Sequence, residues 1–539
     1  MLSREYRNSR FLVVDANVKV RLTLEKYLKS FGAWVIDLAA DGTEAVNKSQ
    51  NGLYDVVICD YQLPGRTGQQ VLEELRVKRL LRNTSLFLMM SSETTREMVL
   101  AAIDHQPDAY INKPITCEVL KARLDALLVD NEVLYEIKHA MDMERWSEAI
   151  NRCEEKVLKG SKYSRWCQKT LGELYLRENN LREAAPVYDE VLQERPLIWA
   201  QIGRVRVWMA EADWEQSVKA LKAIIAQSPH CLVAYDLLAE ALEHLDQPEE
   251  AQEIMHKAVA HSPLSIHRHG KLGELSWKVQ KVDEASEAFR NAVDLGRNSI
   301  LDKPEYHIGL AQALVEKAGA QPPDQRNLLA AEALSTLDAA RGKFPMQDSH
   351  QLQCTLVKAR AHLERKEHHE GEAALAQALD LHGRVGLGED VEHSLELART
   401  LLAYEKDMDA EMVIDQVKMR VGDDPRYARR IADMLEEPVS EAAKVEAARH
   451  NKRGIQLFEA GNIEGAIAAF KEALHYSPRH VALNLNCAQV LLKKLERGGG
   501  PEDRTLLQDC LRRASRIGPE HRQFSRYRFL REKADAQGA

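Results

Sequence analysis

No apolar run in this 539-residue chain is long enough to cross a bilayer, so a membrane-spanning helix is not expected. The N-terminal stretch "MLSREYRNSR" runs straight into an apolar strand, so a secretory leader is not expected either. The eight cysteines show no C-x-x-C or zinc-like spacing, which argues against a structural zinc site and for reduced thiols in the cytoplasm. A basic excess is missing too: the net charge of −9 argues against general nucleic-acid binding. Aromatic residues are only 6%, while Ala, Leu and Glu are abundant, which favours helices. At 45% hydrophobic and 29% charged the chain reads as globular, and its length calls for at least two domains.

The first 128 residues alternate two kinds of pattern. Short apolar runs stand at "FLVVDA" (11–16), "WVIDLA" (34–39), "YDVVICD" (54–60), "SLFLMMSS" (85–92) and "AYINKP" (109–114). Helical spacing follows each, for example Val20, Leu24, Tyr27, Leu28 and Phe31, with further helices expected near 67–80, 95–105 and 116–128. Five strands alternating with five helices imply an α/β doubly wound, five-stranded parallel sheet covered on both faces.

Ligands of such sheets gather at the carboxyl ends of the strands. Asp15, Asp60, Ser91 and Lys113 stand there, on four different strands. A carboxylate can attack phosphorus, a hard divalent cation prefers oxygen ligands, and an ammonium and a hydroxyl can hold phosphoryl oxygens. In "FLVVDANVKVR", "DVVICDYQLPGRTG", "MMSSE" and "AYINKP" the chain resembles the receiver domain of bacterial two-component response regulators, over roughly residues 8–128. The resemblance implies that Asp60 is the phosphoacceptor, with Ser91 and Lys113 holding the phosphoryl group. It implies Tyr110 as the aromatic switch, a cis Lys113–Pro114 bond, and Mg2+ on Asp15, Asp60 and the backbone carbonyl of Gln62. Two positions depart: Ala16 and, mildly, Ser92, where the family often has alanine or another small residue. Ala16 stands where the family has a second metal-binding acid, so Mg2+ should bind weakly; Asn17 could reach in only if its side chain turned from its expected direction. Cys59 should point into the core.

After residue 129 the strand signal gives way to a period. Ala184, Ser217, Ala251 and Ala285 are 33, 34 and 34 residues apart, and Pro196, Pro229 and Pro263 follow the first three by twelve. That is the tetratricopeptide pattern of paired antiparallel helices, restated at "FEAGNIEGAIAAFKEALHYSP" (458–478). A connecting helix over 129–140 should lead into an all-α superhelical solenoid over 141–539, with about nine or ten helix pairs. Breaks are expected as an expanded turn at 316–327, and at 378–390 and 496–503. The C-terminal 511–533 is basic, with Phe524, Tyr527 and Phe529 interleaved, and reads best as a terminal helix covering the last repeat.

The whole reads as a bacterial response regulator whose output is protein binding. A sensor histidine kinase or phosphotransfer protein would phosphorylate Asp60, and the change would be felt near the helix at 95–105, the fourth strand and the helix at 116–128. The repeat groove would bind a protein or peptide. An enzyme acting on an external substrate is not expected, and nucleic acid is the weaker expectation, resting on the basic terminus. Receivers can also pair as homodimers. The alternative is a constitutive scaffold with a receiver that is never phosphorylated, which Ala16 permits.

Overall fold

Five parallel strands form one sheet in the order β2-β1-β3-β4-β5 in the computed structural model: β1 Arg10–Val14, β2 Val35–Ala39, β3 Val56–Asp60, β4 Leu86–Ser91 and β5 Ala109–Asn112. The structure describes residues 6–92, 107–319, 321–385, 391–404, 406–422, 424, 427, 430, 431, 434, 441–515 and 523–536. The helix expected over 95–105 lies outside them.

Alternation along the strands builds two cores. Phe11, Val13, Ile58, Leu88 and Met90 face Leu24 and Leu28 of α1 (Val18–Phe31) and Leu120 and Leu124 of α4 (Cys117–Asp142). Leu12, Val14, Val57, Cys59 and Phe87 face α2 (Gly42–Asn51) and α3 (Gly68–Val77). Both faces are thus covered, as the near-continuous apolar runs require. The order of strands reverses between β1 and β3, so a crevice opens where Asp15 and Asp60 emerge.

The connecting segment expected over 129–140 is helical and continuous with the helix before it. α4 is one helix of 26 residues. Leu120, Leu124 and Leu128 pack on the sheet, while Leu134, Ile137 and Ala140 pack on Ala149 and Cys153 of α5 (Trp146–Leu158). Its distal half is therefore the first helix of the first pair. Asp142 fixes it by accepting from Asn83 N (2.6 Å), Thr84 N (3.1 Å) and Thr84 Oγ1 (2.8 Å).

The chain divides into two compact units, residues 1–306 and 307–539. The first holds the sheet and the helices α5, α6 (Ser164–Arg177), α7 (Leu181–Glu194), α8 (Ile198–Ala210), α9 (Trp214–Gln227), α10 (Leu232–His244), α11 (Pro248–His261), α12 (Ile266–Lys278) and α13 (Val282–Gly296). Small residues sit where helices cross: a Cβ on Gly203 would come within 2.1 Å of the Tyr188 ring. The second unit continues the helical pairs. Residues 316–327 are not an expanded turn: one helix runs to Gly319 and the next starts at Pro323, because proline suits a first helical position. Residues 496–500 form the turn between Val481–Leu495 and Pro501–Ala514, so 501–503 are already helical; helix His368–Val385 covers much of 378–390, and 386–390 lie outside the described residues. Near the C-terminus Leu530 and Ala534 join the last core, Tyr527 packs beside it, and Phe529 stays exposed.

A recurring turn is hidden in the sequence. Glu144, Asn179, Ala212, Asp246 and Gln280 all have φ between 55° and 60°, each between the two helices of a pair. Each is followed by an N–H that returns to the preceding helix, as in Asp213 N to Trp208 O (2.8 Å). This is a Schellman closure with a side chain in the glycine position. Ala212→Gly should therefore raise stability by ~0.5–1 kcal/mol, relief of left-handed strain outweighing the added freedom of the unfolded chain. Urea denaturation of the full chain checks this; an unchanged or lower midpoint counts against it.

Candidate functional site

The crevice at the switch point gathers side chains from four strand ends. Asp15 follows β1, and Asp60 is the last residue of β3. Ladder register sets Met90 opposite Asp60, so Ser91, the last residue of β4, stands one step further out. Ser91 is buried, and its carbonyl accepts from Lys113 N (2.8 Å), which brings the residue after β5 to the same rim. The peptide between Lys113 and Pro114 is cis.

Lys113 joins the carboxylates. Its Nζ lies 2.7 Å from Asp15 Oδ2 and 2.7 Å from Asp60 Oδ2. Burial raises the pKa of Asp60 above the usual carboxylate value, against the pull of Lys113, and the nearby Asp15 adds to the rise. For Lys113 burial acts downward, but the two carboxylates outweigh it and its pKa is raised. Among the described residues, Lys113 is thus held between the two acids.

The backbone N–H of Gln62 also donates to Asp60. Tyr110 is half-buried beside the α2–α3 core, with Tyr61 nearby. Its hydroxyl is buried and has no hydrogen-bond partner among the described residues, and burial pushes its pKa up to about 12. Cys59 points into the core as expected, fully buried, and burial pushes its thiol up.

Three local features were not legible in the sequence. Asn17 is committed to capping α1, its side chain accepting from Lys19 N (2.9 Å), so it does not stand in for a missing acid. Its own N–H occupies Asp15 Oδ1 (2.7 Å). Arg21 Nη1 donates to the main-chain oxygens of Asp15 (2.5 Å) and Ala16 (3.1 Å), setting a guanidinium beside the exposed Ala16. Gly68 lets α3 start against the site: a Cβ there would meet Asp60 O at 2.2 Å. Arg21 lies on α1, and the fold turns it toward the crevice.

Oxygen donors from Asp15, Asp60 and the Gln62 carbonyl have the hardness Mg2+ requires, and Mg2+ needs few protein ligands. The residues fit the ion, with less negative charge than two adjacent acids would provide. Ala16→Asp should strengthen Mg2+ binding by about tenfold, since affinity follows the number of charged ligands. Magnesium titration by calorimetry measures it; unaltered affinity would mean that Arg21, not the missing carboxylate, governs the site.

Comparison with known proteins agrees with this geometry. A model described as the response regulator receiver domain matches residues 11–125, and a tetratricopeptide repeat model matches 451–497. Regulatory protein VanRB of Enterococcus faecalis is 32% identical over 119 residues, 22% of this chain and 52% of its own length, so the chain spans about half of that relative. Chemotaxis protein CheY-3 of Vibrio cholerae is 30% identical over 121 residues, 22% of this chain and 92% of its own. Among solved structures, the response regulator protein TrrA of Thermotoga maritima, in complex with Mg2+-BeF, is 30% identical and covered over 98% of its length and 22% of this chain, with a TM-score of 0.20. Through its N-terminal sheet domain, the chain belongs to the response regulator receiver family.

Proposed function

We propose that this protein is a two-component response regulator in which phosphorylation of Asp60 governs protein binding by the repeat array. The observation that carries the reading is the Lys113 ammonium, 2.7 Å from both Asp15 and Asp60. An oxygen of Asp60 attacks the phosphorus of a phosphohistidine on a histidine kinase or phosphotransfer protein. The P–O bond to Asp60 forms as the P–N bond breaks, and the departing imidazole takes up a proton. Lys113 then turns part of its charge to the phosphoryl oxygens, and the Ser91 hydroxyl donates to one of them. Bound Mg2+ would be held by Asp15, Asp60 and the Gln62 carbonyl, and would offset the repulsion between the carboxylate and the incoming phosphate. The product carries about −1.5 to −2 charge, enough to bias a two-state arrangement. In this reading the protein turns over no external substrate.

The alternative of a constitutive scaffold draws on Ala16 and on the engagement of Asn17 and Arg21. Incubation with Mg2+ and acetyl phosphate separates the two. Intact mass should rise by one phosphoryl group in the wild type and not in Asp60→Asn. No adduct at any magnesium concentration favours the scaffold.

A further inference from the structure

The segment that leaves Asp60 is tied to the repeat array. Gly65 O accepts from Asn298 Nδ2 (2.7 Å), in the turn that follows α13. Ser299 Oγ donates to Glu73 Oε2 (3.2 Å), and Gln70 Nε2 reaches Leu295 O (3.4 Å). These are not chance surface touches. Glu73 and Ser299 are only 5% and 6% exposed, and a carboxylate on a helix facing water would not be. Glu73 also takes the Gln69 amide at 3.1 Å, so its charge is fixed in the interface.

The path from this interface to the phosphoacceptor is short. Gly65 is five residues beyond Asp60. Tyr61 N bonds to Met90 O (2.8 Å) and Gly68 N to Tyr61 O (2.8 Å), while Gly68 lies against the Asp60 main chain. Little slack remains to absorb a movement at Asp60.

A second tie stands at the start of the repeats. The turn after α3 holds the end of α4 through Asp142, and Arg79 Nη1 bonds Glu144 Oε1 (2.6 Å). Helices α5 to α13 are therefore held to the receiver at both of their ends. The tie at the start of the repeats is continuous with the chain through α4. The one at Asn298 and Ser299 joins segments more than two hundred residues apart, through the side-chain bonds of Asn298, Ser299 and Gln70.

We propose that residues 61–74 form an intramolecular dock for the turn at 295–299, and that phosphoryl transfer to Asp60 loosens it. This rests on the functional reading above and adds the place where the signal passes. The dock is complete with Asp60 as a free carboxylate. A phosphoryl group must share Lys113 and needs room beside residues 61–66, so that loop rearranges at the expense of the Asn298 and Ser299 bonds. Release frees α5–α13 at one end, which makes this stretch of the array available to a protein partner only in the modified state. The surface involved is not the one expected from the sequence, which lay on the helix at 95–105, the fourth strand and the helix at 116–128.

Hydrogen–deuterium exchange on the full chain tests the dock, with intact mass recorded on the same samples. Acetyl phosphate with Mg2+ should speed exchange in 61–74 and 295–302 in the wild type and leave Asp60→Asn unchanged. Ser299→Glu sets a second carboxylate against Glu73 and should speed exchange in both segments without a phosphodonor; Asn298→Ala is the milder variant should the first fold poorly. Coupling is reciprocal, so the undocked variants should also bind beryllofluoride, a non-covalent phosphoryl mimic, at least about fivefold more tightly than wild type. An adduct on Asp60 with exchange at 295–302 unaltered overturns the dock as a signalling contact while leaving phosphorylation standing. Absence of any adduct overturns the functional reading and the coupling with it. Wild-type exchange in both variants shows that the contact holds nothing.

Discussion

Lys113→Met should abolish measurable phosphate uptake at Asp60 and destabilise the receiver at neutral pH. In the wild type the Lys113 ammonium bridges Asp15 and Asp60 at 2.7 Å each. The substitution removes the ammonium that would meet the phosphoryl oxygens, a loss of about 10²–10³-fold in rate when a single preorganised donor is removed. The nucleophile suffers as well. Burial already holds the Asp60 carboxyl above its ordinary value, and removing the ammonium raises it further. A protonated carboxyl is a poor nucleophile.

The stability effect has a definite sign. An acid whose folded pKa is raised binds more protons folded than unfolded, so stability falls as pH climbs from its unfolded to its folded value. Ionised Asp60 is thus a cost to the fold, which Lys113 offsets. Lys113→Met should lose ~1–3 kcal/mol at pH 7, less than a fully buried pair would lose because Lys113 itself is partly exposed. The loss should shrink in acid, where Asp60 is protonated in either state. Asp60→Asn alone should melt higher than wild type at pH 7, and Asp60→Asn with Lys113→Met should recover most of what Lys113→Met lost. Thermal melts of the four proteins form the cycle. A loss in Lys113→Met that persists unchanged in the double variant would mean that the lysine acts through Asp15 or through packing and not through Asp60.

The strand ends were readable because parallel strands buried on both faces must be apolar until they stop, and Asp15, Asp60, Ser91 and Lys113 mark where they stop. The repeat period was readable for a similar reason: Ala184, Ser217, Ala251 and Ala285 are small where helices approach, and three of them are wholly buried alanines. What escaped the sequence depends on partners distant in the chain. Glu73 and Ser299 are ordinary surface types, and they are buried where two segments more than two hundred residues apart meet, with a 3.2 Å contact between them. The left-handed turns escaped because Glu144, Ala212 and Gln280 occupy positions where a glycine would have announced them. Prolines 322 and 323 look like a loop and begin a helix, since the missing N–H is one the first turn does not need. Asn17 was expected to point away from the crevice, and the start of α1 supplies the reason, since its side chain caps that helix.

Arg360→Met should cost the second unit ~3–5 kcal/mol at neutral pH while leaving phosphate uptake at Asp60 unchanged. Arg360 is 6% exposed on the helix Asp348–Glu364, where its guanidinium pairs with Glu316 and, at 2.7 Å, with Glu396. Arg399 reaches the same Glu316 at 3.0 Å. Burial acts to raise the Glu316 pKa, but Arg360 and Arg399 together outweigh it and hold the carboxyl below its ordinary value. Methionine fills much of the arginine stem's volume, so the loss reflects charge more than a cavity. It removes the 2.7 Å partner of Glu396 and one of the two arginines that pair with Glu316 among the described residues. The pH dependence separates this from a packing defect. An acid with a depressed folded pKa stabilises the fold above its unfolded value, and that contribution disappears as pH falls through the folded one. The gap between wild type and Arg360→Met should therefore be widest near pH 7 and close in strong acid, where Glu316 is protonated in both proteins. A unit of this size should melt roughly 6–20 °C lower at pH 7. Exchange within 348–364 of the full chain should report the change locally. A gap that stays constant down to low pH would assign the stabilisation to the arginine's stem; no gap at all would make the network energetically neutral.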